Sequence, residues 1–371
     1  MADFDTPEVA VLGGGAGARA VAADLAMQGC SVRLWDLPPF VGGLEPLRRN
    51  PMLSVTGTVE GEIELALVTD DLARACAGAR LIAVVTQSLA HAEIGRALAQ
   101  VVEPDQIVLV NPGSTGGALE LAREITDGGN VCPAILETAT LTHTARLVGD
   151  HGIMIRMRVG YVKTAALPAA KTLDLVRRLQ PLFPGLDPAR NVLETMLSNG
   201  NPVIHPAVML LNAGTVERAG GDWEFYEHGF TPSVASVVEA VDRERLAIGA
   251  ALGFDLIPEP EMSTRQGYSS SADYLAAYRD GPGFQGLGGP ATMEHRYLTE
   301  DVACALVTML ELAEVCGVPT PASRAIVELA SVVSGRNYAA ESRRGLRRLG
   351  LAGLRPEQLL TRAEEGLSTC V

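Results

Sequence analysis

The sequence predicts an α/β N-terminal domain built on a doubly wound parallel sheet, followed by an all-α C-terminal domain. In the first half, short apolar runs alternate with helical patterns, the mark of strands covered by crossover helices. Beyond a proline-rich joint, Pro181 to Pro188 (PLFPGLDP), period-two alternation almost vanishes and long helical patterns take over. The length, 371 residues, exceeds what a single core comfortably holds. The boundary is therefore placed at the joint, with residues 1–185 forming the first domain and residues 186–371 the helical one.

Glu8 to Leu12 (EVAVL) reads as a buried strand, GGGAGARA as a tight turn, Ala16 to Gln28 as an alanine-rich helix ended by Gly29, and Ser31 to Trp35 as a second strand. Leu53 to Val68 alternates like a β-hairpin. Leu81 to Thr86 and Ile107 to Val110 are short apolar strands separated by a helix around His91 to Val101, Cys132 to Glu137 is another strand, and Gly152 to Ala166 holds two more. In the second half the helical patterns run over Pro206 to Val216, Val234 to Leu252, Thr299 to Cys316 and Pro321 to Ser334. The loop Arg279 to Gly289 is the most glycine-rich segment and is expected to be mobile.

The first turn carries chemistry. Gly13-x-Gly15-x-x-Ala18 fits the dinucleotide fingerprint of a Rossmann-type domain, in which glycines allow the turn and the approach of a pyrophosphate, and a small residue lets helix meet strand. A strand before, a helix after and Asp36 at the end of the next strand strengthen the match. A carboxylate at Asp36 can accept from ribose hydroxyls and would repel a 2′-phosphate, so NAD(H) is favoured, with NADP(H) as the alternative if Arg33, Arg48 or Arg49 reverses the preference. The cofactor-binding set is Gly13, Gly15, Ala16, Gly17, Ala18 and Asp36, joined at the same sheet edge by Gln87 and Asn111. Asn111 opens a second glycine-bearing loop, VNPGSTGGA, which also reads as an ordinary strand-to-helix turn capped by Ser114 or Thr115. His91 reads as a residue at a helix start.

Two clusters stand out in the helical half. In NPVIHPAVMLLNAG, Pro206 suits the first turn of a helix, which would put His205 at the helix mouth with Asn201 four residues earlier. Alone, such a histidine reads as structural. The second cluster, EHRYLTEDV, offers His295, Arg296, Glu300 and Asp301; local patterning explains Thr299, Glu300 and Asp301 as the cap and acidic first turn of the next helix, and leaves the arginine unexplained.

Composition narrows the classes. A net charge of −14 argues against nucleic acid and against an anionic membrane surface, both of which call for a basic face. No apolar run reaches the ~18 residues of a spanning helix, and the acidic start MADFDTPE lacks the pattern of a signal peptide, so a cytoplasmic protein is expected. The six cysteines (Cys30, Cys76, Cys132, Cys304, Cys316, Cys370) have no metal-ligand or disulfide spacing and read as reduced thiols, with no metal site expected. The apolar C-terminal helices suit a homodimer interface or monomer core equally.

Taken together, the fingerprint, VNPGSTGGAL, ETATLTHTAR, NPVIHPAVMLLNAG, FYEHGFTPSVA, HRYLTEDV and GVPTPASRAIVELAS resemble, in order and over nearly the whole chain, the octopine/nopaline (opine) dehydrogenase family. The resemblance implies reduction, with NADH or NADPH, of the imine formed between an amino acid (or another amine) and a 2-oxo acid. It implies that His205 is the catalytic histidine, Asp301 its partner, Asn201 a neighbouring polar residue and Arg296 the group that binds a substrate carboxylate. The chain departs from the family pattern at Ala16 and Ala18, where asparagine and glycine are common, and at Gln87 or Ser88, where a proline is common. Two other readings remain: a reductase of a 2-oxo acid or cyclic imine on the same plan, and a non-catalytic nucleotide-binding protein. Phe225, Tyr226, Tyr268 and the loop Arg279 to Gly289 are candidates for the amino-donor pocket or, equally, for core.

Overall fold

The computed structural model describes residues 7–366; the segment MADFDT and Cys370 lie outside the described residues. The chain divides into two compact units, Met1–Thr195 with Arg362–Val371, and Met196–Thr361.

The first unit contains twelve strands among the described residues: β1 (Glu8–Leu12), β2 (Ser31–Trp35), β3 (Met52–Gly57), β4 (Gly61–Glu64), β5 (Leu67–Thr69), β6 (Leu81–Val84), β7 (Ile107–Val110), β8 (Ala134–Thr138), β9 (His143–Val148), β10 (Gly152–Arg158), β11 (Val162–Leu167) and β12 (Leu186–Pro188). Eight form one sheet in the order β12-β11-β8-β7-β6-β1-β2-β5. All neighbours in it are parallel except β8 and β11. Strands β6, β7 and β8 are buried at every residue, as a sheet covered on both faces requires. Helices α1 (Ala16–Met27), α2 (His91–Leu98) and α3 (Gly117–Asp127) follow β1, β6 and β7, giving the predicted Rossmann-type, doubly wound arrangement. The chain leaves β1 between β6 and β2, the switch point where such folds open a crevice at the carboxyl edge.

The stretch predicted as one hairpin is divided. β3 and β4 pair antiparallel but belong to a second sheet, β4-β3-β10-β9, while Leu67 and Val68 pass into β5 beside β2. Period-two patterning marks a strand without saying which sheet receives it.

The second unit is helical, with α4 (Asn201–Leu211), α5 (Pro232–Ala251), α6 (Glu259–Gln266), α7 (Val307–Cys316) and α8 (Pro321–Ser334), and short helices at Phe225–Gly229, Tyr274–Arg279 and Arg296–Thr299. Helix α4 begins five residues before the predicted Pro206. Pro202 takes the first-turn place that suits a proline, and Pro206 falls inside the helix, where its missing N–H deprives only the Pro202 carbonyl of its usual donor. The segment predicted as one helix from Thr299 is also broken, into Arg296–Thr299, a π-helical turn at Asp301–Leu306 and then α7. The glycine-rich loop predicted to be mobile is tied by bonds from Gly286 N to Glu227, Phe225 N to the Leu287 carbonyl and Gly289 N to the Trp223 carbonyl.

At the centre of this unit Arg245 of α5 is fully buried, bonded to Asp242 at 2.7 Å and to the carbonyls of Leu197 and Ile257 at 2.7 Å each. Cys30, Cys76, Cys132 and Cys304 are buried thiols outside any disulfide. Among the described residues no helix is long and apolar enough to cross a membrane.

Candidate active site

In the first unit the fingerprint loop joins β1 to α1. Gly13 has φ +128°, and a Cβ there would lie 2.3 Å from the Val85 carbonyl, so only glycine permits this turn. Gly15 is the N-cap of α1, exposed, with no side-chain cap and nothing within 4 Å of where a Cβ would be. The Arg19 N–H is the first to bond back, to the Gly15 carbonyl, leaving the amides of Ala16, Gly17 and Ala18 without intrahelical acceptors. Bare amides at a helix N-terminus, approachable because Gly15 lacks a side chain, fit the pyrophosphate of a dinucleotide. Ala18, buried, supplies the small helix residue next to the sheet.

Asp36 directly follows β2, beside this loop. Its carboxylate accepts the Leu37 N–H at 2.8 Å and that of Gly14. Burial pushes its pKa up, and those two bonds and the charge of Arg19 only partly oppose the shift. Arg19 had no signal in the sequence beyond its place in an alanine-rich helix. It is buried and donates to the carbonyls of Gly14 (3.0 Å), Gly43 (2.8 Å) and Asp150 (2.6 Å), which fixes the loop from behind.

The neighbouring edge loops behave differently from one another. Gln87 is exposed at the start of the turn Ser88–Ala90. Asn111 is fully buried; its amide donates to the Thr142 hydroxyl at 2.7 Å, and its oxygen accepts from Thr142 N at 3.0 Å and Thr138 at 3.3 Å. The predicted cap of α3 by Ser114 or Thr115 is replaced. Gly116 occupies the N-cap, and the Ala118 N–H donates 2.9 Å to Glu137 of β8, a partner 19 residues away that no local pattern could show. His91 is the first residue of α2 and is buried.

In the second unit His205 lies within α4, one turn after Asn201 on the same face. It is 5% exposed. Its Nδ1 is 2.8 Å from Asp301 Oδ2, and its Nε2 is 3.1 Å from the Tyr226 hydroxyl. The ring stacks on Tyr297 at 3.8 Å between centroids and meets the edge of Phe225 at 5.8 Å. Asp301 therefore does not act as an exposed first-turn acid. It opens the π-helical turn, an irregularity that often marks functional positions, and is buried against the histidine.

Arg296 lies just N-terminal to Asp301. Its side chain is 41% exposed and its one hydrogen bond among the described residues, to Glu300, is long at 3.4 Å. Burial disfavours the guanidinium charge, but the carboxylates of Glu300 and Asp301 outweigh it and raise the pKa, so the group stays cationic. His295 caps the short helix through Tyr297 N; burial, with the positive charge of Arg296 and His205 adding to it, pushes its pKa down to about 4, so it is neutral near pH 7. The sequence offered Tyr226 only as a pocket candidate; its bond to His205 depends on the relative placement of α4 and the helix Phe225–Gly229.

The chain as a whole matches a family with known members. Residues 188–334 match the model of the NAD/NADP octopine/nopaline dehydrogenase alpha-helical domain. An opine dehydrogenase of Arthrobacter sp. (strain 1C) is 34% identical over 354 residues, covering 95% of this chain and 97% of the relative. Among solved structures, octopine dehydrogenase with NADH and L-arginine superposes with a TM-score of 0.76 at 19% identity, over 98% of this chain and 99% of that one. NADP+-bound yersinopine dehydrogenase gives 0.69 at 16% identity, over 97% and 98%. Full-length identity of this order, the matched helical domain and the shared fold place the chain in the opine dehydrogenase family of NAD(P)-dependent oxidoreductases.

Proposed function

We propose that the protein reduces the imine formed between an amino acid, or another amine, and a 2-oxo acid, giving a secondary-amine carboxylic acid. The observation that carries this reading is the buried His205–Asp301 pair with the cationic, half-exposed Arg296 beside it.

Bound NAD(P)H supplies the hydride. The chain's residues supply the rest. Asp301, acting on Nδ1, fixes the tautomer of His205, so that Nε2 is the ring nitrogen that gains and loses the proton exchanged with the substrate nitrogen. Arg296 grips a substrate carboxylate through its free guanidinium edge and orients the reacting carbon. Asn201, one turn before His205, adds a polar group for the substrate. On the first unit the amides after Gly15 hold the pyrophosphate, with Gly13 setting the turn, Gly17 and Ala18 allowing close approach and Gln87 exposed at the same edge. Asp36 makes NAD(H) the favoured cofactor.

The test is NADH or NADPH oxidation, followed by absorbance, with pyruvate and a panel of amino acids. Turnover that needs the amine supports the reading; turnover with the oxo acid alone moves it to a simple 2-oxo acid reductase. Full activity in both His205→Ala and Asp301→Ala removes the mechanism, and a tenfold preference for NADPH in kcat/KM removes the role given to Asp36.

A further inference from the structure

The nitrogen of His205 that Asp301 leaves open already has a partner, the hydroxyl of Tyr226 at 3.1 Å. The tyrosine ring is held on several sides: Phe284 at 4.4 Å, the edge of Phe225 at 5.0 Å, Phe230 at 6.0 Å and Tyr278 at 6.3 Å. The residue is 6% exposed, and His205 is the one hydrogen-bond partner of its hydroxyl among the described residues. The oxygen is therefore fixed while the hydroxyl hydrogen can still rotate.

We propose that Tyr226 is a positioning residue for proton transfer, its hydroxyl reversing direction with the charge of His205: it donates to Nε2 of the neutral imidazole and accepts from Nε2–H of the imidazolium. The inference rests on the reading of His205 as the proton-exchanging group. Its physical basis is the cost of burying a polar group without a partner. A histidine that gains and loses a proton inside a packed aromatic cluster leaves Nε2 unsatisfied in one of its two states unless its neighbour can both give and accept. Backbone amides, carbonyls and carboxylates do only one of these; a hydroxyl does both.

Tyr226 itself stays protonated throughout. Burial drives its pKa well above the ordinary tyrosine value, Tyr297, Tyr268 and Asp301 add to the shift, and Arg296 only partly opposes it. The charged and titratable groups around the pair are Asp301, Arg296, His295 and Tyr297 on the His205 side, and Tyr268 and Tyr278 on the Tyr226 side. None of these is in a position to replace the hydroxyl at Nε2, since Asp301 is on Nδ1 and Tyr297 offers its ring face.

The bond to the imidazolium is charge-assisted and so the stronger of the two. Removing the hydroxyl should therefore disfavour the charged state more than the neutral one. In Tyr226→Phe the pH limbs of turnover in both directions move to lower pH, by about half a unit, and kcat falls about tenfold or more with KM for the oxo acid nearly unchanged. The 15N signals of labelled imidazoles read the same shift with no turnover, so the result stands whether or not the amine-dependent reaction is the right one. A 3-fluorotyrosine placed at position 226 keeps ring and hydroxyl while making the oxygen a weaker acceptor, and should shift the limb in the same direction by less. Phe284→Leu loosens the same packing without touching the hydroxyl and should leave the limb in place. The proposal is overturned if the His205 titration in the folded Tyr226→Phe or fluorotyrosine protein coincides with that of the parent, or if Phe284→Leu moves it equally.

Discussion

Among the described residues stand two buried histidine–aspartate pairs, one in each unit, with the same 2.8 Å contact and opposite surroundings. In the first unit His143 Nε2 meets Asp24 Oδ2. Arg158 donates to both oxygens of that carboxylate, and the Thr142 hydroxyl sits 2.9 Å from His143 Nδ1. Asn111 donates to the same hydroxyl oxygen at 2.7 Å, which turns the Thr142 hydrogen toward the imidazole. Burial alone would raise the pKa of Asp24, but His143 and Arg158 outweigh it and hold the carboxyl below its ordinary range. Every polar position is filled, so the assembly is a strut joining α1, β9, β10 and the loop after β7. In the second unit the histidine has Asp301 on one nitrogen, a rotatable hydroxyl on the other and the half-exposed cation Arg296 close by. The pair itself does not mark a reactive group. What occupies the remaining positions is where the two differ.

The sharpest way to break this comparison is to remove each imidazole. His205→Asn, whose amide can still donate to Asp301, should lower kcat by about 10²- to 10⁴-fold while the melting temperature stays near the parent's. His143→Ala should do the reverse, lowering stability by about 3 kcal/mol because Asp24 keeps Arg158 but loses its second partner, with kcat close to the parent's. Denaturant unfolding and steady-state kinetics on both variants decide it. A stable His143→Ala protein that has lost turnover would erase the distinction between strut and reactive pair.

A smaller effect separates closed from open positions in the fingerprint loop. Gly13→Ala collides with the Val85 carbonyl and should damage folding, whereas Gly15→Ala meets nothing within 4 Å. The Gly15 variant should therefore fold normally and bind cofactor more weakly, with KM for NADH up about tenfold, equivalent to ~1.4 kcal/mol. Unchanged cofactor affinity in that variant would place the pyrophosphate elsewhere.

The same contrast shows what could be read from the sequence. The β1 turn and Asp36 were legible because a dinucleotide is met by backbone, and backbone demands fix residue types at short spacing. His205, Asp301 and Arg296 stood out through a resemblance spanning almost a hundred residues, since their contacts cross between α4 and the segment after Met293. Three features left no local trace. Arg19 looks like any helix arginine until it reaches carbonyls 24 and 131 residues away. Glu137 caps a helix from the next strand. The start of α4 was misplaced because either proline suits a first turn, and only packing chooses between them.

The last expected effect concerns a third buried acid, whose titration has the opposite sign to that of Asp24. Glu259 opens α6 beside Arg245 and Asp242, and accepts from the Tyr278 hydroxyl at 3.2 Å. One arginine faces two carboxyls, and Asp242 holds the closer contact, 2.7 Å against 3.9 Å. Charge balance in the buried site then favours a proton on Glu259. Burial pushes its pKa up to about 7, with Arg245 opposing and Asp242 adding to the shift. For Asp24, with its pKa lowered in the fold, the unfolded chain binds the proton first, so its contribution to stability is lost as pH falls through the acid range. For Glu259 the folded chain holds the proton more tightly, so its contribution is present below the ordinary value near 4.5 and is lost as pH rises toward about 7. Glu259→Gln keeps the shape and removes the proton equilibrium. Stability of the variant measured by denaturant unfolding should change less than the parent's across that window, by on the order of 1–2 kcal/mol. Parallel curves for parent and variant would mean that Glu259 is ionised throughout, and that Arg245 balances both carboxylates.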